Sequence, residues 1–230
     1  LSDRRNYPCL KNNYYLNQAS LGLIGEPAVS AMHKFLNTTA RHGNLMMPDD
    51  AESKFLDTIR LKLGYLLNAS ASNIAIVSSA SEILSQLPLL IRPNKNQKIV
   101  MVASDFPAIT RPWLAYAKRK SLKLIFVKER FSENLTDQII KNLDDTTAAL
   151  CVSFVQFSSG TRLNIMKLRA ATKQLGIKLV VDITQAAGVI PISIDSWQAD
   201  LVVCSGYKWL GGHGGIAFAI FSNKLLKIQP

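Results

Sequence analysis

Residues 177–188 read Ile-Lys-Leu-Val-Val-Asp182-Ile-Thr-Gln185-Ala-Ala-Gly188, and residues 200–215 read Asp-Leu-Val-Val-Cys-Ser205-Gly-Tyr-Lys208-Trp-Leu-Gly-Gly-His-Gly-Gly. Each begins with a near-continuous apolar run of strand length, the pattern of a strand buried on both faces. The first run ends in a carboxylate, which is costly there unless it meets a cation or hydrogen-bond donors. An Asp that simply caps a turn is the plainer alternative. The second run is followed by a lysine inside an apolar, glycine-rich stretch, where a freely solvated lysine has little reason to be. Those glycines do not make a P-loop, because the G-K-[ST] order is absent. They suit a close approach of backbone to a ligand or a neighbouring chain.

Working outward, the same kind of run recurs at 73–77, 98–102, 122–127 and 147–153, then at 177–181, 200–204 and 215–221. Helical spacing fills 80–91, 107–120, 134–143 and 163–174 between them. Strand–helix alternation of this kind predicts an α/β fold, a three-layer sandwich with a mainly parallel seven-stranded sheet. Upstream, Gly25-Glu26-Pro27 opens a helix carrying Val29, Met32 and Leu36, and Asp49-Asp50 opens a second with Phe55, Ile59, Leu63 and Leu66 on one face. No Ser/Gly linker divides the chain, so the expected organisation is an N-terminal arm (1–24) and one large domain (25–230).

The chain has 230 residues, 48% of them hydrophobic and 19% charged, enough to bury a sizeable core and unlike a disordered tail. The apolar runs are too short to span a bilayer, so no membrane partner is expected. Residues 1–10 hold Asp3, Arg4 and Arg5 and do not read as a signal peptide. Cys9, Cys151 and Cys204 form no C-x-x-C and His33, His42 and His213 no H-E-x-x-H, so we expect reduced thiols, a cytoplasmic setting and no metal. Net charge is +11, with its densest cluster at Lys118-Arg119-Lys120, where cations suit a helix C-terminus. No basic stripe interleaved with aromatics accompanies it, so nucleic acid is not expected as a partner.

In a parallel sheet the chemistry gathers at the carboxyl ends of the strands. After 73–77 comes Ser78-Ser79-Ala80-Ser81-Glu82, small residues at a helix start whose N–H groups could hold a phosphate, or simply a Ser N-cap. After 98–102 comes Ser104-Asp105-Phe106-Pro107, whose aromatic could pack or could stack on a flat ligand. An anion cradle, a flat aromatic, a buried Asp and a buried Lys together describe the needs of pyridoxal 5'-phosphate.

These segments resemble the class V aminotransferase superfamily of fold-type I pyridoxal phosphate enzymes, which includes cysteine desulfurases, kynureninases and isopenicillin N epimerase-like proteins. The resemblance extends through Tyr15-Leu16-Asn17, Ser81-Glu82, Asp105-Phe106-Pro107 and Val155-Gln156-Phe157-Ser158-Ser159-Gly160. It implies Lys208 as the catalytic residue, forming a Schiff base with the cofactor and shuttling protons. It further implies Asp182 on the pyridinium nitrogen, Gln185 near the ring's phenolic oxygen, Ala80, Ser81 and Ser205 on the phosphate, Phe106 stacked on the ring, and Tyr207 touching phosphate. Ile109 departs from the acidic residue of kynureninases, and Ser159 from an Asn of desulfurases.

The family's C-terminal small domain, which supplies an Arg for the substrate carboxylate and the desulfurase's catalytic Cys, is expected to be missing from a sequence that ends at Pro230; Arg41 is one substitute for that Arg. The first residue is Leu1 rather than Met, so the natural N-terminus is expected upstream. The resemblance implies an enzyme acting on an amino acid by transamination, desulfuration or related lyase chemistry, and a homodimer. A cofactor-binding but non-catalytic chain, and a basic nucleic-acid-binding module, are the alternatives.

Overall fold

Successive residues of a strand point to opposite faces, so alternation along the strands decides which helices they meet. The computed structural model describes residues 3–130 and 132–227; Leu1 and Ser2 of the expected arm, Phe131, and residues 228–230 of the expected domain lie outside the described residues.

Among the described residues, one sheet contains β1 (Ile74–Val77), β2 (Lys98–Val102), β3 (Lys123–Val127), β4 (Thr147–Ser153), β5 (Lys178–Asp182), β6 (Leu201–Ser205) and β7 (Ala217–Phe221), in the order β1-β7-β6-β5-β4-β2-β3. Strands β2 to β6 pair in parallel, and β7 runs antiparallel to β6 and β1. The helices are α1 (Glu26–His42), α2 (Asp49–Lys54), α3 (Asp57–Leu67), α4 (Ala80–Ile91), α5 (Pro107–Lys120), α6 (Leu135–Ile140), α7 (Ile165–Gln174), α8 (Ile194–Trp197) and α9 (Asn223–Leu226).

On one face Val100, Val102, Leu150, Val152, Leu179, Val181 and Val202 pack with Leu67 of α3, Ile139 of α6, Leu168 of α7 and Trp197 of α8. On the other, Ile99, Met101, Ala149, Cys151, Val180, Leu201 and Val203 meet Leu84 and Leu87 of α4 and Trp113 of α5. Each Val, Leu, Ile or Met among them contributes about 1.5–3 kcal/mol when fully buried. The result is the three-layer α/β sandwich that strand–helix alternation implies.

The expected second helix is two. The Phe55 N–H closes onto the Glu52 carbonyl at 3.1 Å and Leu56 adopts ψ −4°, which interrupts the helical ladder. Phe55 thereby leaves the face it was expected to share and meets Phe35 of α1, ring centroids 6.0 Å apart. Ile59, Leu63 and Leu66 of α3 stay together along a groove beside Ile76 and Phe218. Helix α1 forms as expected but contributes no buried residue. Lys118, Arg119 and Lys120 occupy the last turn of α5, where they complement the helix dipole.

Parallel pairing puts the carboxyl ends of β2, β4, β5 and β6 on one edge. Because β1 is antiparallel to β7, Val77 reaches that same edge and delivers Ser79 and α4.

Candidate active site

At this edge a cavity of about 180 Å³ opens, lined by Ser79, Ala80, Ser81, Phe106, Ala108, Ser153, Phe157, Asp182, Thr184, Gln185, Ser205, Tyr207 and Lys208. All eight site residues expected from sequence are in this lining. Ser79, Ala108, Ser153, Phe157 and Thr184 were not singled out.

Ser79 is the N-cap of α4, and its hydroxyl accepts from the Glu82 N–H at 3.1 Å. The Glu82 carboxylate reaches back to the Ser78 N–H (3.0 Å) and hydroxyl (2.6 Å), a close variant of a capping box. These hydrogen bonds hold the Glu82 pKa below its ordinary value. A helix has no internal acceptor for its first N–H groups, so those of Ala80 and Ser81 are available to an anion in the cavity.

Asp182 ends β5 and is buried, with Oδ1 accepting from the Thr184 N–H at 2.8 Å. Among the described residues no cation is in salt-bridge contact with it. Burial pushes its pKa up to about 6; hydrogen bonds from Thr184 oppose this, the charge of Asp105 adds to it, and Lys208 pulls it down. The Thr184 hydroxyl also accepts from the Ser205 N–H at 3.0 Å, tying the ends of β5 and β6 together.

Lys208 lies three residues beyond β6 and is only 7% exposed. Its Nζ stands 5.4 Å from the Phe106 ring centroid and 5.9 Å from that of Tyr207. Burial lowers its pKa below the ordinary lysine value, against the charges of Asp182 and Cys204. The amine is thus easier to deprotonate than a surface lysine, as a nucleophilic amine requires.

A second buried carboxylate stands behind this pair. Asp105, just past β2, accepts from the Ser153 N–H (2.8 Å), the Ser153 hydroxyl (2.6 Å), the Phe106 N–H (2.7 Å) and Gln156 Nε2 (3.3 Å). Burial raises its pKa, and these donors oppose the rise. The Phe106 ring is then met edge-on by Phe157, 5.4 Å away at 86°. Asp105 follows an apolar strand as Asp182 ends one, so the same rule about carboxylates at strand ends could have found it.

Gln185 donates from Nε2 to the Ala19 carbonyl (3.0 Å) and accepts at Oε1 from Trp209 Nε1 (3.0 Å). Ile109 is buried among the helices and sheet instead of lining the cavity, and Ser159 is exposed, bonded to Thr161. Arg41 is exposed near the end of α1 and does not line the cavity. Burial, together with the neighbouring Asp182, pushes the Cys204 thiol pKa well up, and burial pushes that of Cys151 up to about 12, so neither is a ready thiolate. Among the described residues no group of His, Cys, Asp or Glu is arranged to hold a metal ion.

The family profile described as Aminotransferase class-V matches residues 14–230. A probable cysteine desulfurase of Pyrococcus abyssi is 24% identical over 226 residues, covering 96% of this chain and 56% of the relative. A kynureninase of Yarrowia lipolytica is 30% identical over 174 residues, covering 70% of this chain and 40% of the relative. Among solved structures, a C-DES mutant with glycine covalently linked to its pyridoxal phosphate superposes with a TM-score of 0.88 at 18% identity, covering 100% of this chain and 62% of that one. The chain therefore spans about half the length of the relatives it matches, from 40% to 62% of these three.

Proposed function

Since this chain belongs to the class V aminotransferase family, we propose that it forms the cofactor-binding large domain of a pyridoxal phosphate enzyme acting on an amino acid, with Lys208 as the attachment point. The observation that carries this reading is the meeting of Asp182 and Lys208, 26 positions apart in sequence, in one cavity beside the face of Phe106. The residues fit the group. Two helix-start N–H groups await an anion, a buried carboxylate lacks a salt-bridge partner among the described residues, and a buried amine lies near an aromatic ring.

Bound there, pyridoxal phosphate would supply an electron sink for bond breaking at the α-carbon of an amino acid. Ala80 and Ser81 would hold the phosphate through backbone N–H groups, with the Ser205 hydroxyl and Tyr207 beside them. Phe106 would offer its face to the ring. Ionised Asp182 would keep a proton on the ring nitrogen, an opposite charge that repays its own burial. Burial, which lowers the Lys208 pKa, makes its amine readier than a surface lysine to hand over and take back a proton. Gln185 would offer the ring's phenolic oxygen the second N–H of its amide, the first being held by the Ala19 carbonyl.

Residues 1–24 act in this reading as an arm on a domain formed by 25–230. Transamination, desulfuration and related lyase chemistry remain within the proposal, on the model of a desulfurase and a kynureninase among the relatives. A homodimer is proposed as well, supported by exposed Phe35 and Leu36 on α1. A cytoplasmic setting is supported by the unpaired Cys9, Cys151 and Cys204.

A second reading, cofactor binding without turnover, is favoured by one observation: among the described residues neither an arginine nor a cysteine lines the cavity. One experiment addresses both. Pyridoxal phosphate is titrated into wild-type chain and Lys208→Ala, and the wild type is then assayed with cysteine, alanine and kynurenine. A visible band confined to the wild type, with turnover of one substrate, supports the enzyme; the band without turnover supports the second reading; no band rejects both.

A further inference from the structure

We infer that the segment Asn17–Leu23 is a strap that positions Lys208, fastened by Gln18 and Gly22 and anchored a second time through Gln185. The inference rests on the reading of Lys208 as the cofactor-bearing amine.

Strand β6 ends at Ser205, so the carbonyls of Tyr207 and Lys208 fall outside the sheet ladder and need other donors. The loop itself supplies one, the Gly211 N–H to the Lys208 carbonyl at 3.2 Å, and the arm provides the rest. The Gly22 N–H donates to the Tyr207 carbonyl at 2.7 Å, and Gln18 Nε2 donates to the Lys208 carbonyl at 2.9 Å. Gln18 is itself oriented, its Oε1 accepting from the Leu23 N–H at 3.3 Å. At the other end, Gln185 bridges the Ala19 carbonyl and the Trp209 indole, each at 3.0 Å. The strap thus grips the chain at 207, 208 and 209, around the lysine.

Gly22 is the one buried residue of the described arm, 3–24. A Cβ there would stand 2.0 Å from the Lys208 carbonyl oxygen and 2.9 Å from that of Tyr207, both backbone atoms. Room for close approach, not a left-handed backbone, is what requires glycine at this position. A lysine on a loop has a mobile base and a side chain of several rotors, and positioning its amine demands that the base be held.

The test compares wild-type chain with Gln18→Ala and Gly22→Ala. In cofactor-free protein, the rate at which an acylating reagent labels Lys208 is mapped by peptide mass spectrometry across pH, with Lys178 as internal control. Releasing the strap lets the ammonium reach water, so its labelling midpoint should rise by about half a pH unit or more in both variants while that of Lys178 stays. With pyridoxal phosphate added, apparent affinity should weaken about fivefold, the effect of one net hydrogen bond. Wild-type midpoints and affinities in folded variants would overturn the strap. If Gly22→Ala does not fold, Gln18→Ala decides. If the wild type takes up no pyridoxal phosphate, the functional reading fails, and the labelling profile still decides the strap.

Discussion

Ser153 and Asp182 are register partners on β4 and β5, and the N–H and hydroxyl of that serine are both held by Asp105. Two buried carboxylates therefore flank one serine along the carboxyl edge of the sheet, and the charge of Asp105 makes Asp182 harder to ionise. A cationic ligand in the cavity would relieve both. This is the electrostatic reason for expecting a protonated ring nitrogen at Asp182.

The first prediction concerns stability without cofactor. Asp182 has a folded pKa raised to about 6, against about 4 in an unfolded chain. Between these values the folded state binds a proton that the unfolded state does not. Stability should therefore fall as pH rises from about 4 to about 6, by about 3 kcal/mol at most, and stay lost above that. Asp182→Asn should lose this slope. Urea midpoints of both chains across that window check it, and identical slopes would contradict it.

Cofactor affinity should follow the opposite sign. The ring nitrogen favours the ionised carboxylate, so binding of pyridoxal phosphate should tighten as pH rises through about 6 in the wild type. Asp182→Ala should weaken binding by about 3 kcal/mol, the cost of breaking a buried ionic pair, and flatten that pH dependence. Absorbance titrations at two pH values measure both. Unchanged affinity would mean that this carboxylate only caps a turn.

Asp105→Asn keeps the shape of the side chain but offers one acceptor oxygen to four donors, leaving at least one buried donor unpaired. The chain should lose about 1–3 kcal/mol in denaturant unfolding. The same change removes a negative neighbour, so the pH window of Asp182 should move down. A variant as stable as wild type with an unmoved window would show that the cluster is incidental.

Phe106→Leu removes the flat face beside Lys208 and the edge contact from Phe157. Affinity for pyridoxal phosphate should weaken by about 1 kcal/mol, the scale of an aromatic pair beyond its area, with little change in the melting of cofactor-free protein. An equal loss in both measurements would assign Phe106 to packing alone.

Much of this site was legible because parallel pairing brings distant strand ends to one edge. The runs ending at Asp182 and preceding Lys208 are successive in sequence, so both residues could sit at the same edge, and the pairing of β5 with β6 puts them there. The spans 80–91 and 107–120, read from helical spacing, coincide with α4 and α5, where Ser79 caps the first and Pro107 stands in the first turn of the second. Other features depend on contacts that local sequence does not encode. Asp105 finds Ser153 across 48 positions, and Gln18 finds Lys208 across 190. The break at Phe55–Leu56 goes with a contact between Phe55 and Phe35 on another helix, and no proline or glycine announces it. Helix α6 stops at Ile140, short of the expected 143, because the Asn142 and Leu143 N–H groups turn to the nearer carbonyls of Ile139 and Ile140.

The central claim is that Lys208 carries the cofactor, and borohydride reduction tests it most directly. The chain is incubated with pyridoxal phosphate, reduced, digested and mapped by mass spectrometry. The account predicts a stoichiometric label on Lys208 that is lost in Lys208→Ala. A label on Lys178 or Lys128 instead, or none on Lys208 in folded protein, would contradict it.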